Sequence, residues 1–137
     1  MLDFYRMRFL INRLPTAEGN VAEAMSVATK TTTVLTGMPR GSGTGDQTGD
    51  GAVMLLLAQE SLEKLRSELD AMRKELAPLI DQLEDETHRK VIQFRYMDGL
   101  TVHQVALATT YSRSQTYVRL REAERAISEL QNKTDNN

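Results

Sequence analysis

Apolar residues recur along most of this chain at intervals of three and four, the spacing that keeps side chains on one face of an α-helix. Met7, Leu10, Ile11 and Leu14 stand at i, i+3, i+4 and i+7. They predict a short amphipathic helix over residues 2–14, stopped by Pro15, which has no N–H to donate. Val21, Ala24, Met25, Ala28, Thr32 and Leu35 carry a second helical stripe. The threonines Thr29, Thr31, Thr32 and Thr33 weaken its far end. N-terminal helices are thus expected over 1–36. The stretch GMPRGSGTGDQTGDGA follows and holds six of the eight glycines, with almost nothing apolar to bury. Its ordering entropy would go uncompensated, so residues 37–52 are expected to form a flexible linker.

From Leu55 the pattern becomes stricter. Leu55, Ala58, Leu62, Leu65, Leu69, Met72, Leu76, Leu79 and Leu83 alternate three and four, a heptad seam on a helix over 53–84. The outer face is charged, from Glu60 and Lys64 to Arg73 and Glu75. Pro78 should kink or end this helix. The seam has two candidate partners, the chain's own N-terminal helices or the same seam of a second copy in a coiled-coil homodimer.

The remaining pattern is a compact run of short helices over 85–131, followed by a polar tail over 132–137 expected to be disordered. Residues 85–97 read as a helix, with Val91, Ile92, Phe94 and Tyr96 on an apolar face edged by Arg95. Gly99 is a stop signal, and Thr101 a fitting N-cap for a helix from Val102 to Thr109 that offers Val105, Ala106 and Ala108 for burial. The corner is Thr110-Tyr111. Ser112 caps the last helix, on which Thr116, Leu120, Ala123, Ile127 and Leu130 form an inward stripe.

Composition agrees with an all-α fold: 40% apolar, only 5% aromatic, no Trp. It also removes several functions. There is no Cys for a disulfide or thiolate metal site, and His88 and His103 alone do not make a metal centre. The Gly-rich stretch lacks the Lys of a phosphate-binding loop. No nucleophile–base pair or cofactor motif stands out, so neither an enzyme nor a cofactor is expected. The adjacent carboxylates Glu84, Asp85 and Glu86 sit at a helix start, where acids favour the helix dipole. The longest apolar run, residues 53–58, is too short to cross a membrane, and the cytoplasm is the expected location.

Net charge is −2, but from Arg89 onward eight basic residues stand against five acidic ones, +3. With the stripe of the last helix turned inward, Ser114, Gln115, Val118, Arg119, Arg121 and Arg125 point outward or sideways, and Arg113 and Ser114 lie in the first turn. In a helix-turn-helix this part of the second helix enters the major groove of double-stranded DNA. Arg113, Ser114, Gln115 and Tyr117, beside the cap Ser112, would then read base edges. Arg119, Arg121 and Arg125 would hold phosphates.

The segment VIQFRYMDGLTVHQVALATTYSRSQTYVRLREAERAISEL resembles region 4 of the bacterial sigma factors and the related helix-turn-helix of phage regulators. The residues that carry the resemblance are Arg95-Tyr96, Gly99, Leu100-Thr101, Val105-Ala106, Ser112-Arg113-Ser114, Tyr117 and Leu120. The order of ATKTTTVLTGMPRGSG, a charged heptad helix and this module is similar to the small phage and prophage transcription regulators of the ArpU/RinA type. That resemblance implies sequence-specific DNA binding in phage transcription control within a bacterial host. Two further readings accompany it: a sigma-like module that docks on RNA polymerase, and a small terminase subunit for DNA packaging. The chain departs from the pattern at Thr110, where glycine is usual because the backbone needs a positive φ. Either the corner carries strain or it takes another shape.

Overall fold

The computed structural model describes residues 2–37 and 43–135, and the side chains of 2–29 and 51–135. Helix α1 spans Phe4–Gly37 and α2 spans Gly43–Asp81. Helix α3, Glu86–Ile92, continues into a π-helical turn, Gln93–Met97. Helices α4, Val102–Thr109, and α5, Arg113–Asp135, complete the chain. There is no strand among the described residues, and the protein is all-α. None of its described helices is long and apolar enough to cross a membrane.

Three expectations from the sequence are corrected. Pro15 does not stop a helix: it lies exposed inside α1. The missing hydrogen bond costs about 3 kcal/mol. Burial of Met7, Leu10 and Ile11 before it, and of Ala24 after it, offsets that loss. The expected linker is shorter than residues 37–52. Gly37 ends α1, α2 starts at Gly43, and residues 38–42 lie outside the described residues. The expected tail is also shorter, because α5 continues to Asp135; Asn136 and Asn137 lie outside the described residues. Helix α2 does end soon after Pro78, at Asp81.

The chain forms two units, Met1–Ile11 with Leu69–Asn137, and Asn12–Glu68. The expected division into consecutive segments therefore gives way to one in which each long helix contributes to both units. In the Asn12–Glu68 unit α1 and α2 run antiparallel, with Glu18 3.9 Å from Arg66 and Ala28 beside Gly51. A Cβ on Gly51 would lie 3.5 Å from the Ala28 Cα, in ordinary van der Waals contact, so the two backbones pass closely here. Leu62 and Ala24 are buried, and Leu55, Ala58 and Leu65 half-buried.

In the other unit, α1 contributes Met7, Leu10 and Ile11, α2 contributes Leu69, Leu76, Leu79 and Ile80, and Leu83 follows α2. They share a core with Val91, Ile92, Tyr96, Val105, Leu120, Ala123 and Ile127. Of the heptad seam, Leu62, Leu69, Leu76, Leu79 and Leu83 are thus buried within a single chain, and Leu55, Ala58, Leu65 and Met72 are half-buried.

The π turn sets the angle into α4. The Asp98 N–H reaches the Gln93 carbonyl at 2.9 Å and the Leu100 N–H reaches that of Phe94 at 3.0 Å. Gly99 takes the left-handed conformation, φ 73°, that these reversed bonds require. Arg73 Nε donates to the Tyr96 carbonyl at 2.8 Å, and Arg95 donates to that of Leu100 at 3.0 Å. The first satisfies an oxygen in the last turn that a helix end leaves unpaired, and the second ties the connection between the π turn and α4 back to the turn.

Candidate nucleic-acid interface

Each helix of the C-terminal module starts on a local signal. Asp85 caps α3, accepting from the N–H groups of Thr87 and His88. Those bonds, that of Thr87 foremost, hold the Asp85 carboxyl below its ordinary pKa. Thr101 caps α4 in a reciprocal box: its Oγ1 accepts from the Gln104 N–H and Gln104 Oε1 accepts from the Thr101 N–H. Ser112 and Gln115 repeat the device at α5, at 3.2 Å and 3.1 Å. Between α4 and α5 only residues 110–112 intervene. Thr110 stands there at φ 63° and ψ 17°, so the corner does need a positive φ, and a β-branched residue supplies it.

Helix α5 is oriented by its stripe. Thr116, Leu120, Ala123 and Ile127 are buried, as the spacing predicts, whereas Leu130 is half-buried and Gln131 is buried instead. In α4, Val105 and Ala106 are buried and Ala108 is exposed. At about 100° per residue the exposed part of α5 then has a centre and two flanks. Ser114, Val118 and Arg125 fall at the centre. Tyr117, Arg121 and Glu124 fall on one flank, and Gln115, Arg119 and Glu122 on the other.

The predicted site residues divide accordingly. Arg113, Ser114, Arg121 and Arg125 are exposed, and Tyr117 is 46% exposed. An Arg113 Nη lies 3.5 Å from His103 Nδ1 on α4. Ser112 is committed to the cap through its Oγ, and Gln115 through its Oε1, which leaves the Gln115 amide nitrogen as its outward donor. Arg119 is tied sideways, 3.5 Å from Glu122 and 6.0 Å from the Tyr111 ring. Glu122 in turn meets His88 at 3.3 Å, which links α5 to the start of α3. Arg121 and Arg125 have no ion pair or hydrogen bond among the described residues.

One cluster was not foreseen. On the flank of Arg121, Arg8 of α1 donates to Glu124 at 2.7 Å and to the Tyr96 hydroxyl at 2.9 Å. The Tyr96 hydroxyl donates to the same Glu124 oxygen. Burial, and then Glu124, raise the Tyr96 pKa well above its ordinary value, so the hydroxyl keeps its proton and remains the donor. Arg95, expected at the edge of an apolar face, is instead 5% exposed. The sequence marked neither Arg8 nor Glu124, because nothing local connects residues 116 positions apart.

Charge separates this region from the rest. Thr101 through Arg121 holds three arginines and one histidine and not a single carboxylate, in a chain of net charge −2. A run of this length without an acid, with exposed arginines on the first turns of a capped helix, presents positive charge to solvent.

No curated protein and no solved structure matches the chain. A family model described as a protein of unknown function matches residues 28–128, from the later part of α1 through α4 and most of α5, without Arg8. That match covers well over half of the sequence, and the chain belongs to the DUF1492 family.

Proposed function

We propose that the protein binds double-stranded DNA in a sequence-specific manner and acts as a phage or prophage transcription regulator, with α4 and α5 as a helix-turn-helix. The observation that carries this reading is the carboxylate-free run Thr101–Arg121, whose arginines lie on the exposed side of a helix oriented by a buried stripe. The first turn of α5 enters the major groove. Arg113, Ser114 and the amide nitrogen of Gln115 read base edges, with Tyr117 beside them. Val118, half exposed at the centre of the face, suits a thymine methyl group. Arg121 and Arg125 hold backbone phosphates, and Arg119, already paired with Glu122, contributes less.

The test is selection from a random pool of duplexes by the full chain, with the retained sequences read out. A shared motif is the expected result; retention without any motif refutes sequence reading. An inverted repeat would show two copies on one site. The second copy would then meet Val53, Met54, Leu56 and Leu57, each more than half exposed, rather than the buried seam. A second reading, docking on RNA polymerase, is favoured by Leu107, an apolar residue of α4 that is 68% exposed. Polymerase capture without duplex binding would select it.

A further inference from the structure

Beside α5, on the flank of Tyr117 and Arg121, lies a cleft of about 270 Å³. Arg8, Arg95, Arg121, Tyr96, Tyr117 and Glu124 line it. Its charges do not balance. Three guanidinium groups face one carboxylate, and that carboxylate is already engaged by Arg8 and by the Tyr96 hydroxyl. Arg121 is exposed and has no partner among the described residues. Arg95 is 5% exposed, has no carboxylate within ion-pair distance, and leaves its Nε buried without a hydrogen-bond partner. The hydrogen bond that its Nη1 donates to the Leu100 carbonyl supplies no counter-charge. A buried charge without a counter-charge is costly.

An oxyanion with several acceptor oxygens supplies the missing negative charge. It is a counter-charge to both Arg95 and Arg121, and the Tyr117 hydroxyl can donate to it. Arginine's planar fork matches phosphate better than any other side chain does. We propose that this cleft is a phosphate seat, with Arg95 as its buried floor, Arg121 as its exposed clamp, and Arg8 holding Glu124 aside. Taken with the DNA-binding reading, on which its biological ligand rests, the seat takes one backbone phosphate beside the α5 face. Arg113, Tyr117 and Arg121 follow one another at four-residue intervals along that flank.

Two arms test it. In the first, inorganic phosphate is titrated into the full chain at constant ionic strength, against chloride, by calorimetry and by the thermal midpoint. Arg121→Gln should weaken phosphate binding at least tenfold. Lys133→Gln, which removes the same charge from α5 outside the cleft, should leave it unchanged. Arg95→Lys, which keeps the charge but lacks the fork, should weaken it while circular dichroism stays that of the parent. No saturable phosphate binding by the parent chain, or equal binding by Arg121→Gln and the parent, overturns the seat. The second arm titrates duplex DNA with and without competing phosphate. If duplex binds while the first arm shows no phosphate site, the seat falls and the DNA reading stands. If phosphate binds as expected while no duplex does, the seat stands for a free or ligand-borne phosphate and the DNA reading falls.

Discussion

The side chain of Gln131 accepts a hydrogen bond from the backbone N–H of Leu2 at 3.0 Å, joining the last helix to the start of the chain across 129 positions. Its amide nitrogen donates to Glu75 on α2 at 3.1 Å, so one buried residue ties the start of the chain, α2 and α5 within the same unit. Replacing it with leucine keeps the volume but leaves the buried Leu2 N–H unsatisfied. Gln131→Leu should therefore cost about 1–3 kcal/mol. Denaturant unfolding measures this as a lower midpoint. An unchanged midpoint would mean that water replaces the bond.

Thr110 carries a positive φ of 63° at the corner between α4 and α5. The left-handed region disfavours L-residues by about 1–2 kcal/mol. Glycine removes that strain but loses more entropy on folding. The net expectation for Thr110→Gly is a stabilisation of about 0.5–1 kcal/mol, seen as a higher thermal midpoint. A lower midpoint would show that the Thr110 hydroxyl, bonded to the Thr109 carbonyl, matters more than the backbone.

The capping box of α5 makes Gln115 serve two roles. Ser112→Ala should lower stability by about 1 kcal/mol, the usual loss of a side-chain N-cap. Gln115→Glu keeps the cap, since a carboxylate accepts from the Ser112 N–H equally well. It places a negative charge at the entry to the groove, so DNA affinity should fall while the unfolding midpoint holds. A loss of both would make Gln115 a purely structural residue.

Arg113 and Arg125 should separate by the kind of DNA they affect. Arg113→Ala is expected to cost roughly 1–3 kcal/mol on the preferred site and far less on random duplex. Arg125→Ala should weaken both alike and reduce the salt slope by about 0.9, one phosphate contact. Titrations on both duplexes at several salt concentrations make the comparison. Parental behaviour of both variants would place this face of α5 outside any groove.

Acid stability should depend on Asp85. Bonds from the N–H groups of Thr87 and His88 depress its folded pKa below the ordinary value of 3.8. A depressed carboxyl stabilises the fold above its unfolded pKa, and that contribution is lost as pH falls through the folded one. Asp85→Asn retains an acceptor without a titrating charge, so its stability should change less below pH 3.8 than that of the parent. Parallel acid unfolding curves would exclude Asp85 as a source of the transition.

What the sequence determined by itself is what neighbours along the chain decide. The caps Thr101 and Ser112, the stop at Gly99 and the inward stripe from Thr116 to Ile127 all involve residues within a few positions of each other, where helical geometry is fixed. The resemblance pointed to a positive φ at the corner but left open whether Thr110 adopts it, and the structure shows that it does. Tertiary structure decided the rest. Whether α1 passes Pro15 depends on packing on both sides of it, and packing outweighs a local propensity worth a few kcal/mol. The start of α2 at Gly43 likewise overrides a composition that reads as linker. The heptad seam specified a face to be buried but not the partner that buries it. Arg121 and Tyr117 of the phosphate seat stood on the expected face, but Arg8, Arg95 and Glu124 were invisible for a related reason: only folding brings α1, the π turn and α5 together.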